Sequence, residues 1–186
     1  VKFEPTEIAG AYLISPDRHH DERGWFMRTY CRRTFAALGI EGEMVQASLA
    51  QNVRRGTIRG LHWQRAPHAE GKLIACPRGA LFDVLVDLRP SSSTYLVWIA
   101  RRLDGENGQA LYAPPGVAHG YQTLEDDSWV HYQMSAEFAP AAVAGVRFDD
   151  PTFAIDWPLP VSLVSARDRA LPHYATIAPM PLVVGL

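Results

Sequence analysis

Along most of the chain, apolar and polar residues alternate with a period of two in short runs. The runs are "AYLIS" (11–15), "GWFMRTY" (24–30), "MVQASLAQN" (44–52), "TIRGLHWQ" (57–64), "KLIACP" (72–77), "ALFDVLVDLR" (80–89), "YLVWIARRL" (95–103), "ALYAPP" (110–115), "GYQTLE" (120–125) and "WVHYQMS" (129–135). Gly, Pro, Asp and Asn separate them. Short strands punctuated so closely predict an all-β protein, a sandwich or barrel. A helical pattern occurs at "RRTFAALG" (32–39), with Gly39 placed to end it. After Asp149 the texture changes. "DDPTFAIDWPLPVSLVSARDRALP" is rich in Pro and Asp, and predicts an irregular segment lying across the sheets, with a short helical turn near Ser165–Ala170. There is no internal repeat, and residues 1–186 read as one domain.

Alternation also assigns faces. In "ALFDVLVDLR", Leu81, Asp83, Leu85 and Asp87 share one side, and Phe82, Val84, Val86 and Leu88 the other. Carboxylates among leucines mean either solvent exposure or a partly polar interior that holds a ligand. Lys72 and Ile74 point together, so a Lys72–Asp83 pair across neighbouring strands is expected. His62 interrupts an apolar strand between Leu61 and Trp63. It reads either as a hydrogen-bonded core histidine or as a base. His119 follows a rigid Pro-Pro-Gly turn. Tyr132 alternates with Val130 and Met134 and should point inward, which turns His131 outward.

Composition narrows the chemistry. Charged residues make up 20% of the chain, the hydrophobic set 47%, and the net charge is −2. These values fit a soluble globular protein and argue against nucleic acid or a membrane surface as the main partner. The cysteines, Cys31 and Cys76, form no disulfide framework, and a reducing cytoplasm suits them. No run approaches the roughly 20 apolar residues of a membrane span. The N-terminal stretch lacks the layout of a signal peptide. A metal site is not expected: the residue two after His62 is Gln64, a poor ligand, and Lys72 would repel a divalent cation. A fixed lysine can instead stabilise an oxyanion. The chain has no G-x-S-x-G elbow and no Gly-rich phosphate loop. Arg23, Arg54, Arg55 and Arg59 remain as phosphate clamps, with a solvated turn the preferred reading for Arg54 and Arg55.

Taken in order, "HDERGWF", "GTIRGLHWQ", the lysine at 72, "LFDVLVDLR", "YAPPGVAHGYQTLEDDSWVHYQMS", "DDPTFAIDWP" and "SARD" resemble the dTDP-4-dehydrorhamnose 3,5-epimerase family, from about Phe3 to about Pro172. The resemblance implies a cupin-like jelly roll with a few short helices, a homodimer, and no metal or organic cofactor. It implies a nucleoside-diphosphate 4-keto-6-deoxyhexose as substrate, inverted at carbons 3 and 5 through removal and return of protons α to the keto group. His62 stands at the family's base position and Asp168 at its partner carboxylate. Lys72 matches the cation for the enolate, and Tyr132 the acid on the opposite face. His119 and Asp83 belong to the substrate pocket, and Arg23 and Arg59 to diphosphate contacts. Phe26 and Phe138 match rings that sandwich the base, with Arg23 and Phe26 reaching in from the partner subunit.

The sequence departs from the family's pattern toward the nucleotide side. Arg28 and Val143 stand where glutamates are common, Phe138 where tyrosine is usual, and Gln46-Ala47-Ser48 where Q-x-N is usual. Gln46 and Ser48 are kept as substrate contacts. Trp25 and Phe26 show little alternation, which predicts burial on both faces, as in an exchanged strand. The apolar end "IAPMPLVVGL" either packs on a partner or caps its own barrel.

Overall fold

Alternating Val, Ile, Leu and aromatic residues build two facing antiparallel sheets. The computed structural model describes residues 1–40 and 43–177. The strands are β1 (Lys2–Pro5), β2 (Tyr12–Ser15), β3 (Arg18–Asp21), β4 (Gly24–Met27), β5 (Gln46–Asn52), β6 (Thr57–Gln64), β7 (Lys72–Arg78), β8 (Ala80–Asp87), β9 (Trp98–Asp104), β10 (Ala110–Ala113), β11 (Val117–Thr123), β12 (Ser128–Met134), β13 (Val143–Gly145) and β14 (Leu163–Val164). Two short helices accompany them, α1 (Arg32–Ala36) and α2 (Ala166–Arg169). The first sheet runs β1-β2-β10-β7-β12-β5 and the second β13-β6-β11-β8-β9, with β14 joining β6 and β3–β4 forming a separate hairpin. This is a cupin-like jelly-roll sandwich of unclosed sheets.

The faces follow the alternation. Between the sheets lie Ile74, Leu81, Leu85, Leu103, Leu111, Tyr121 and Val130. The far face of the second sheet would leave Leu61, Trp63, Val84 and Val86 wet. Phe153, Ile155, Trp157, Tyr174 and Ile177 cover them instead. Burial at roughly 25 cal/mol per Å² is what holds this irregular segment in place. α1 sets Phe35 over the first sheet, against Ile14, Leu73 and Tyr112. Gly39, at φ +73°, closes that helical stretch in the left-handed region. Beyond Ile177 the apolar C-terminal end lies outside the described residues.

Several expectations are corrected. The run at 24–30 is a strand only to Met27, and the helix over 32–39 is regular only to Ala36. In the single chain Trp25 and Phe26 are exposed, because the β3–β4 hairpin pairs only with itself, so the expected burial would take a partner chain. Lys72 does not pair with Asp83. The chain crosses between sheets at Arg78–Ala80, so β7 and β8 are not neighbours. Asp83 is instead fully buried against His119.

Candidate active site

A cleft of about 320 Å³ opens between the two sheets. One wall is the second sheet, with His62, Gln64 and Arg59 from β6 and His119 and Tyr121 from β11. The other is the first sheet, with Lys72 from β7, Tyr132 and Met134 from β12, and Gln46 and Ser48 from β5. Within the second-sheet wall, β6 and β11 approach closely. His62 and His119 are direct cross-strand partners, and the register shifts between His119 and Tyr121. At that shift Gly60 takes φ +109°, and a Cβ on it would lie 2.6 Å from Gly120 Cα. Only glycine fits there. The irregularity turns Arg59 into the cleft together with His62.

His62 Nε2 lies 2.8 Å from Asp168 Oδ1. Asp168 is delivered by α2, whose N-cap Ser165 accepts the Asp168 N–H at 3.0 Å. Burial pushes the Asp168 carboxyl up, but the hydrogen bond and charge of His62 and the Gly60 N–H outweigh it and hold the group below the usual carboxylate range. An ionised carboxylate only accepts, so Nε2 carries a proton toward it, and in the neutral imidazole the lone pair is on Nδ1. The Asp168 contact thereby fixes the ring's orientation.

Lys72 Nζ lies 2.8 Å from Glu70 Oε1, and both side chains are largely buried. It also donates to the His62 carbonyl at 3.4 Å. Glu70 Oε2 in turn accepts the Gln64 N–H at 3.1 Å. A remaining ammonium N–H is available to an acceptor in the cleft. Tyr132 donates to Tyr121 Oη at 3.3 Å. Burial first, and the neighbouring Tyr121 next, hold the Tyr132 phenol well above its ordinary value. The phenol therefore stays protonated across the physiological range.

His119 Nε2 meets Asp83 Oδ1 at 2.7 Å. Asp83 Oδ2 is buried with no hydrogen-bond partner, and burial raises that carboxyl's pKa. Asp83 backs His119 and does not line the cleft, which corrects its assignment as a substrate contact. Phe138 stands at the rim, 59% exposed. Gln46 accepts its N–H at 2.8 Å, and Gln64 braces the same segment through Glu137 and Ala139. Val143 also lines the cleft, and Arg28 does not.

Arg23 and Phe26 are not brought to this chain's cleft. Arg23 is solvent-exposed and bound to Asp21 on its own hairpin. Reading from the sequence also missed three residues that the fold places at the cleft, Glu70, Tyr121 and Arg167, and Asn52 behind them on Arg59 and Tyr121. Glu70 and Tyr121 stand two positions from Lys72 and His119, so alternation alone could have found them. Among the described residues, no three His, Cys, Asp or Glu side chains cluster so as to hold a metal ion.

Residues 5–176 match the family model described as dTDP-4-dehydrorhamnose 3,5-epimerase. A Methanothermobacter thermautotrophicus protein of that name is 40% identical over 171 residues, covering 90% of this chain and 91% of its own. A Streptomyces niveus protein, named dTDP-4-dehydrorhamnose 3-epimerase, is 38% identical over 189 residues, covering 95% of this chain and 91% of its own. A crystal structure of the Bacillus anthracis dTDP-4-dehydrorhamnose 3,5-epimerase with TDP and PPi bound superposes with a TM-score of 0.89 at 36% identity, over 92% of this chain and 98% of that one. With a matching fold, a matching family model and relatives matched over nearly their whole length, the chain belongs to the dTDP-4-dehydrorhamnose 3,5-epimerase family.

Proposed function

We propose that the cleft epimerises a nucleoside-diphosphate 4-keto-6-deoxyhexose at C3, at C5 or at both. The observation that carries this reading is the placement of a carboxylate-fixed imidazole and a protonated phenol on opposite walls of one cleft. Inversion at a carbon requires that arrangement: one group removes the proton, and another returns it from the far side. His62 Nδ1 takes the proton α to the keto group, and Asp168 stabilises the imidazolium that forms. The electron pair moves onto the keto oxygen, where the Lys72 ammonium meets the developing charge. Tyr132 then protonates the carbon on the opposite face, and the carbonyl re-forms. Arg59 and Arg167, at the cleft, supply positive charge for the diphosphate. No cofactor enters these steps.

The protein acts as a homodimer in this reading, with Arg23 and Phe26 of each hairpin completing the other subunit's cleft. The Streptomyces niveus relative is named for one centre and the Methanothermobacter relative for two. The number inverted by this chain is thus the first quantity to measure. Proton NMR in deuterated water with dTDP-4-keto-6-deoxyglucose reads it directly. Loss of both the C3 and C5 proton signals identifies a double epimerase, and loss of one a single-site enzyme. Persistence of both, with folded protein, overturns the reading for this substrate.

A further inference from the structure

Tyr121 is 1% exposed, yet its hydroxyl sits in a chain of polar contacts that ends at the cleft. Asn52 fixes the direction of that chain. Its Nδ2 donates to the Ser128 carbonyl at 3.2 Å. Its Oδ1 accepts from Arg59 Nε at 2.8 Å and from the Tyr121 hydroxyl at 3.1 Å. With the amide so oriented, Tyr121 must donate to Asn52 at rest. Its remaining capacity accepts the Tyr132 hydroxyl at 3.3 Å.

We infer that Tyr121 is a positioning residue for the acid, acting by turning its hydroxyl from Asn52 to the Tyr132 oxygen when Tyr132 gives up its proton. The inference rests on the epimerase reading. In that step the Tyr132 O–H bond breaks and a C–H bond forms from the enolate electron pair. The carbonyl is restored, and the negative charge is left on the Tyr132 oxygen. Tyr121 keeps its own proton and donates a hydrogen bond to that oxygen. Asn52 loses one donor but keeps Arg59, so its acceptor stays satisfied. Tyr132 is reset by a proton from water, and His62 returns its proton to solvent. An unsolvated phenolate in this buried setting would otherwise have little to stabilise it.

The test separates removal of the substrate proton from its return. Exchange of the C3 or C5 proton for deuterium by His62 reports removal, and inversion of the centre reports return from Tyr132. In Tyr121→Phe, inversion should slow roughly tenfold to a hundredfold, the size of losing a hydrogen bond to a charged group. Exchange should stay within about twofold of wild type, and KM should hardly move. The ratio of inversion to exchange is a property of folded molecules alone, so partial unfolding does not blur it. In a Tyr132→Phe background the same change should cost nothing further, because Tyr121 acts only through Tyr132. An unchanged ratio, or losses that multiply in the double variant, overturns the inference while leaving the epimerase reading in place. Absence of both exchange and inversion in the wild type overturns both.

Discussion

At the scale of single residues, the pairing of His62 with Asp168 orients the imidazole and carries a pH dependence. Asp168 binds its proton less readily in the folded chain than in the unfolded one. Its contribution to stability is therefore fully present above the ordinary carboxylate value and is lost as the pH falls through the lowered one. Asn at 168 does not titrate. The Asp168→Asn variant should lose less stability than wild type on acidification below about pH 4, as read by urea unfolding at a series of pH values. The same variant should invert substrate at least about 10²-fold more slowly near neutral pH, because the imidazole loses both its fixed tautomer and its counter-charge. Equal acid sensitivity in the two proteins would show that the ion pair is not the source.

At the scale of elements, the two histidines depend on how closely β6 and β11 approach. A Cβ on Gly120 would lie 2.8 Å from the Arg59 carbonyl and 2.8 Å from Leu61 Cδ2. The first contact is backbone and cannot rotate away. Gly120→Ala should cost about 1–3 kcal/mol and lower activity, since His62 and His119 both sit on the strands that meet here. Thermal unfolding with a matched activity assay checks it; a full melting temperature with full activity would show that the strands can spread. This crossing also marks where sequence reading stopped. Alternation was enough to predict ten of the strands, though not β1, β3, β13 or β14, to turn Tyr132 inward and to single out His62, Lys72 and His119. It failed at Lys72–Asp83, because side-chain parity tells which way a residue faces and not which sheet its strand joins. It was silent on Arg59 sharing the cleft with His62, because a register shift breaks parity. Asp168, 106 residues from His62, was named through the family resemblance and not through alternation, and Asn52, 69 residues from Tyr121, was missed, because only the fold brings such positions together.

At the scale of the whole molecule, the single chain carries an apolar surface that it does not cover. Trp25, Phe26, Val45, Leu49 and Val53 are all large and exposed. Trp25 and Leu49 also line a second cavity of about 270 Å³, with Leu73, Ala75 and His131 on the outer face of the first sheet. Beside it, β5 is an edge strand with β12 on one side only. An uncovered edge next to an apolar patch can accept a further strand, and in the homodimer proposed above the partner's β3–β4 hairpin would supply it. The exposure of Phe26 and Arg23 would then have a use, since both would leave their own chain to reach the other cleft. If so, Trp25→Ala should shift the dimer toward monomer at micromolar concentration, measured by sedimentation equilibrium, and activity should fall in step with the dimer fraction. Arg23→Ala should leave the dimer intact and raise KM by about tenfold, the loss of a charge-assisted phosphate contact. A wild-type chain that sediments as a monomer and turns over at full rate would exclude the exchange, and would leave the cleft to work with Arg59 and Arg167 alone.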